Sequence, residues 1–324
     1  MTAVVLTLFT AYAVLDVFVI PHEYRAENDT EAGQEIRIAK TDGGSGDPGQ
    51  GSSEGSLQGG LGAGLQNGSG ATEPTGAVPS EPVITDRSYT DANISVEISE
   101  YRVNDTDVYV ADVRVSSPEY LLSALAKGMY GRNVTEKTSE IAGRVDAILA
   151  VNGDFYGARN AGYVIRNGVL YRDRSAGNED LVMYEDGTFA IIDESKVSAS
   201  QLIADGAVQV WSFGPGLVEN GEITVSAKQE VGRAMASNPR TAIAYVEENH
   251  YLLVVADGRT GESDGLSLYE LASFLCELGV QTAYNLDGGG SSTMVFLGKV
   301  VNNPTTGGQK ISERSVSDIV CIGY

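Results

Sequence analysis

The chain has 324 residues, 42% of them hydrophobic, with 22 Lys and Arg against 44 Asp and Glu and a formal charge of −22. That balance argues against a general nucleic-acid binder, which needs a basic footprint, and it obliges any phosphate chemistry to rest on a local cluster of arginines and backbone N–H groups. Two histidines, His22 beside the apolar start and His250 in a polar turn, leave no basis for a Ser-His-Asp or Cys-His mechanism or a His-rich zinc site.

Residues 3–20 are almost continuously apolar, broken by Thr7, Thr10, Tyr12 and Asp16. At about 1.5 Å per residue such a run nearly spans a hydrocarbon core of ~30 Å. This predicts an uncleaved transmembrane signal anchor over residues 1–25, with a cleaved signal or a buried helix as alternatives. No Lys or Arg precedes the run, so flanking charge does not set its orientation. Residues 26–87 are rich in Gly, Ser and acids, including Gly43-Gly44-Ser45-Gly46 and Gly59-Gly60. Such a segment buries too little to offset its ordering entropy and is predicted to be a flexible spacer. Residues 88–324 then form one globular domain.

Within that domain, Ile94–Tyr101 and Asp107–Val115 are expected to pair around Asn104-Asp105. A buried strand over 147–152 ends in Gly153-Asp154. Asn167-Gly168 and Asp186-Gly187 each sit between two short apolar runs, a strong hairpin signal. Ala242–Glu247 and Tyr251–Ala256 form a further pair. The clearest helix is Leu268–Leu278, capped by Ser267 and Glu270 and ended by Gly279. A strand over 282–286 runs from it into Asp287-Gly288-Gly289-Gly290-Ser291-Ser292. The expected class is α/β in its α+β form, a mixed β-sheet core with a few packed helices. Cys276 and Cys321 show no metal-ligand spacing and either pair or stay free.

Polar clusters follow several of these strands, where loops on a rigid scaffold carry chemistry. Three successive glycines after a buried strand permit φ > 0 and clear side chains from a ligand's path. The N–H groups of Gly288, Gly289 and Gly290, with the Ser291 and Ser292 hydroxyls, then suggest an anion nest; a plain Gly-rich turn is the competing explanation. Arg240, Arg259 and Arg314 offer planar forks to phosphate oxygens, against the ordinary alternative of surface ion pairs. Asp154, Asp257 and Asp287 are candidate catalytic carboxylates, or else turn and cap residues. The same three carboxylates leave open a divalent cation, although no cofactor is required.

These clusters resemble the phosphodiester glycosidase family. The resemblance is carried by Asn152-Gly153-Asp154-Phe155-Tyr156, Asn238-Pro239-Arg240-Thr241-Ala242, Asp257-Gly258-Arg259, the helix leading into Asn285 to Met294, Asn302-Asn303-Pro304, and Glu313-Arg314-Ser315-Val316-Ser317. It covers residues 94–324, and one departure is Asp318, where the family often shows Asn. The resemblance implies hydrolysis of a sugar C1–O–phosphate bond, as in removal of N-acetylglucosamine from phosphodiester-linked mannose; bacterial members are described as exopolysaccharide-associated.

On that basis Asp154, Asp257, Asp287 and Arg240 are expected to be catalytic. Asn152, Arg259, Gly288 to Ser292, Glu313 and Arg314 are expected to bind substrate. The expected partner is a phosphorylated glycan or sugar-1-phosphodiester at the cell surface, reached from the membrane by the anchor, with no nucleic acid. A non-catalytic module binding phosphoglycan or teichoic acid, and a glycosyl-phosphate transferase, remain as alternatives.

Overall fold

The computed structural model of the chain describes residues 22–23, 81–228, 237–306 and 310–324. The apolar run 3–20 and the spacer up to residue 80 lie outside the described residues. Among those described, no helix is long and apolar enough to cross a membrane. The first sheet strand of the folded part, Val83–Ile84, falls inside the last residues of the stretch that composition assigns to the spacer.

The fold is α+β, built on antiparallel sheets. Ile94–Val103 and Thr106–Val115 pair in register from Ile94↔Val115 to Val103↔Thr106. Asn104 and Asp105 between them both have positive φ, 43° and 56°, the mirror-image turn whose twist matches its strands. Asn167 and Gly168 (φ 51° and 79°) join Val164–Arg166 to Val169–Arg172 in the same manner.

A nine-stranded sheet forms the centre. From Gly216–Glu219 its main strands run through Thr282–Asn285, Arg240–Glu247, His250–Ala256 and Thr106–Val115 to Ile94–Val103. Alternation sends Tyr109, Ala111 and Val113 to one face and Val108 and Val110 to the other. The second face is covered by helix Leu268–Glu277 through Leu268, Leu271, Ala272 and Leu275, all buried. Its Ser267–Glu270 capping box is present, and Gly279 (φ 80°) follows its end. The first face packs on two five-stranded sheets that contribute Leu149, Val151, Leu181, Met183, Trp211, Val320 and Ile322. Two short helices, Thr138–Arg144 and Ala199–Ala204, and the buried C-terminal strand Asp318–Ile322 complete the frame. Cys276 and Cys321 are both free thiols.

Register then gathers the polar clusters. Arg240 pairs with Ala256 and Ala242 with Asn285, so the ends of three central strands lie together. Ile319 pairs with Asn152, which brings the start of the last strand to the Gly153 loop. The Asn152 side chain joins the two groups by donating to the Asp287 carbonyl at 2.6 Å.

Candidate active site

The loop after Thr282–Asn285 is fixed by its main chain. Leu286 N–H donates to Thr241 O (2.9 Å) and Asp287 N–H to Gly153 O (3.2 Å). A Cβ on Gly288 would lie 2.7 Å from the Pro239 carbonyl, so a side chain there is excluded by backbone. Gly289 has φ 64° and its N–H donates to that same carbonyl at 2.9 Å. Ser291 N–H and Ser292 N–H turn back on Gly288 O and Gly289 O. The expected anion nest is corrected in part: of its three glycine N–H groups, that of Gly289 is already given to Pro239 O, and Gly288 serves close approach to the same carbonyl. The Ser292 hydroxyl is fully buried rather than presented to a ligand.

What the loop does present is Asp287. Its side chain is 11% exposed, and it meets the Arg314 guanidinium, which is 41% exposed, at 2.8 Å. Ser291 Oγ donates to the same carboxylate oxygen at 2.5 Å and accepts from Arg314 Nε (2.9 Å) and Nη2 (2.6 Å). Arg314 Nη2 also reaches Gly288 O at 3.2 Å, while its Nη1 makes no hydrogen bond among the described residues. Burial pushes the Asp287 carboxyl above the usual carboxylate range, and the Arg314 charge and Ser291 hydroxyl partly offset it. Arg159, seated over the Phe213 ring, adds a weaker offset.

Arg259 approaches the loop from another side. Its Nη2 lies 3.0 Å from where a Gly289 Cβ would stand, and its Nε and Nη2 both donate to Asn238 Oδ1. It opens on a cleft of about 560 Å³ lined also by Asp257, Thr260, Ser263 and Asn303.

The remaining candidates hold the frame. Asp154 is fully buried and faces Arg166 Nη2 at 2.9 Å, while accepting from Tyr156 N–H (3.1 Å) and Ser212 N–H (2.8 Å). Asp318 meets the same guanidinium through Nε at 2.7 Å, and burial raises it to about 6. Burial works against the Arg166 charge, yet the two carboxylates hold it firmly protonated. Asp154 is thus part of an internal ion triad and not a carboxylate open to substrate.

Asp257 accepts from the Asn302 side chain (2.8 Å) and Asn303 N–H (3.0 Å), which fastens the 302–303 segment. Arg240 is 3% exposed and its Nε donates to Leu266 O at 2.8 Å, so it is no open phosphate fork. Glu313 accepts from Ser139 N–H (3.0 Å) and Ser139 Oγ (2.5 Å), holding the first turn of helix Thr138–Arg144. Asn152 spends its amide on Asp287 O and its carbonyl on Thr241 Oγ1 (2.8 Å) and Thr293 N–H. Asp154, Asp257 and Asp287 are engaged separately, so the convergence on a divalent cation that the sequence left open does not form. Among the described residues no group of three or more His, Cys, Asp or Glu is disposed to hold a metal ion.

Sequence reasoning missed Arg159 and Arg166, which lie outside the polar clusters. It also missed the buried pair Asp180 and Glu194. Asp180 is pushed to about 10 by burial and then by the Glu194 charge, which makes it a neutral acid. Burial works against the Glu194 charge, but the Asp180 hydrogen bond and the N–H groups of Tyr163 (2.9 Å) and Asn178 (3.3 Å) hold its carboxyl below the usual range.

The phosphodiester glycosidase family model matches residues 146–323. The chain is 31% identical over 237 residues to the mouse N-acetylglucosamine-1-phosphodiester alpha-N-acetylglucosaminidase, which covers 64% of this chain and 44% of the relative. It is 32% identical over 213 residues to the human protein of that name (59% and 40%). It is also 32% identical over 203 residues to the SPbeta prophage-derived protein YomE of Bacillus subtilis (60% and 31%). The chain spans less than half the length of these curated relatives. In fold it is similar to the zebrafish N-acetylglucosamine-1-phosphodiester alpha-N-acetylglucosaminidase catalytic domain, with a TM-score of 0.57 at 22% identity over 71% of this chain and 83% of that one. A hypothetical protein from Synechocystis gives 0.52 at 15% identity over 72% and 62%.

Proposed function

The chain belongs to the phosphodiester glycosidase family, and from that premise we propose that it hydrolyses a sugar-1-phosphodiester of a cell-surface or extracellular glycan. The observation that carries this reading is the Asp287–Ser291–Arg314 constellation at the end of the central strand. It sets a half-exposed guanidinium, whose Nη1 makes no hydrogen bond among the described residues, beside a carboxylate that is 11% exposed.

Water adds its oxygen to the anomeric carbon as the C1–O bond breaks, and the phosphate monoester leaves with the bonding pair. That leaving group is already a stable anion, so the site's main task is charge stabilisation. Arg314, held from behind by Asp287 and Ser291, directs Nη1 toward the departing phosphate, and Arg259 supplies a second fork across the glycine loop. Asp287 accepts the water proton or faces the positive charge growing at C1. Ser291 fixes the carboxylate's rotamer. The ion triad of Asp154, Arg166 and Asp318 stiffens the neighbouring Gly153 loop, whose carbonyl receives Asp287 N–H.

The same proposal places the domain outside the cytoplasm, tethered by the apolar run 3–20 through the Gly-rich spacer. Incubating the protein with a panel of sugar-1-phosphodiesters tests the reaction. Release of both free sugar and phosphomonoester, with the anomer followed over time, is the expected result. Intact substrates across the panel would reject it.

A further inference from the structure

Phe155 has a conformation that its own chemistry disfavours. Its φ and ψ are 68° and 23°, a left-handed backbone that is an outlier for a bulky side chain and that glycine adopts freely. Such strain persists where neighbours over-determine it, and here they do on both sides. Gly153 N–H is bound to Asp318 O at 2.9 Å, and Asp154 is locked in the ion triad. Tyr156, 1% exposed, donates its N–H to Asp154 Oδ1 and stacks on Tyr130 with centroids 5.1 Å apart. The result is an exposed residue, Phe155 at 37%, with the Arg314 guanidinium 6.0 Å from its ring centroid.

From this geometry we propose that the Phe155 ring is the platform on which the pyranose of the substrate rests, its C–H face against the ring while the phosphate engages Arg314. The proposal depends on reading the site as one for a sugar-1-phosphodiester and adds which residue recognises the sugar. A pyranose offers an apolar face on one side and hydroxyls at its edge, and an exposed aromatic ring complements that face. The guanidinium beside the ring then fixes which end of the sugar carries the phosphate. Presenting the ring beside Arg314 is what the strained turn achieves.

The test is calorimetric titration of the full chain with two probes, inorganic phosphate and N-acetylglucosamine-1-phosphate, on the wild type, Phe155→Gly and Phe155→Tyr, with a thermal melt of each. The wild type is expected to bind the sugar phosphate more tightly than phosphate alone. Phe155→Gly should weaken the sugar phosphate about tenfold or more, the equivalent of 1.4 kcal/mol, and leave phosphate within about twofold. It should not lower the melting temperature, because glycine relaxes the strain, and Phe155→Tyr should restore the sugar affinity. A parallel loss of both affinities would show that the ring only holds Arg314 and would overturn the platform. An unchanged sugar-phosphate affinity, or a melting temperature sharply lowered by glycine, would also overturn it. Those outcomes leave the hydrolase reading standing; a wild type that binds neither probe removes both.

Discussion

Replacing Arg166 with methionine removes the cation that Asp154 and Asp318 share inside the fold. All three side chains are almost fully buried, with Arg166 at 2% exposure. Removing one partner of a buried pair costs about 3–5 kcal/mol, since a charge is left without compensation. Two carboxylates are stranded here, and Asp318 responds by taking up a proton. It sits near 6 even with Arg166 present, and without that charge the value climbs further. Above that pH the folded variant holds a proton that the unfolded chain has already lost. Its stability therefore falls as pH rises, by about 1.4 kcal/mol per unit. Between pH 6 and pH 8 the deficit of Arg166→Met relative to wild type should deepen by about 2–3 kcal/mol. Urea denaturation of both proteins at the two pH values measures it. A deficit under about 1 kcal/mol, or one equal at both pH values, would refute the assignment of Asp154 and Asp318 to an internal ion triad.

Gly288→Ala should cost about 1–3 kcal/mol, as expected for overpacking, because its Cβ would meet the Pro239 carbonyl at 2.7 Å; denaturant midpoints check it, and an unchanged midpoint would put the loop elsewhere. Arg314→Ala should move the acid limb of the kcat/KM profile to higher pH, since Arg314 partly offsets the burial that raises Asp287; a limb that moves down or stays would detach Asp287 from that limb. Asp180→Asn should stabilise the protein at neutral pH. With its folded value near 10, well above the unfolded one, wild-type Asp180 gives its full contribution below about 4 and loses it progressively up to about 10. The variant's advantage in melting temperature should therefore grow from pH 5 to pH 9, and a constant difference would contradict it.

The local signals in the sequence carried far where the physics is local. Asn104-Asp105 and Asn167-Gly168 specify mirror-image turns because so few residues tolerate both positive φ values, and the structure has them. Ser267 and Glu270 specify a helix start through bonds only three residues apart, and those bonds form. The phosphodiester glycosidase family and the α+β class were legible for the same reason, since the motifs sit on strand ends. The glycine run was not decided by sequence. A missing side chain admits a ligand or a neighbouring backbone equally, and here Pro239 O takes the space.

Asp154 and Glu313 illustrate the other limit. An acid after a strand reads the same whether it faces water or a guanidinium, and Arg166 comes to Asp154 from a strand of a different sheet. Glu313 grips Ser139, 174 residues earlier, a pairing that only the assembled sheets create. Helices Thr138–Arg144 and Ala199–Ala204 span two turns or fewer, too short for an apolar period to register.

The proposed function is tested most directly by a time course of free sugar and phosphomonoester released from a sugar-1-phosphodiester by the wild type and by Asp287→Asn. The wild type is expected to release the two products in equal amounts. Asp287→Asn, with an unaltered melting temperature, should be slower by about 10²–10⁴-fold, the range for loss of a positioned carboxylate. Equal rates for the two proteins, or no release by the wild type, would contradict it.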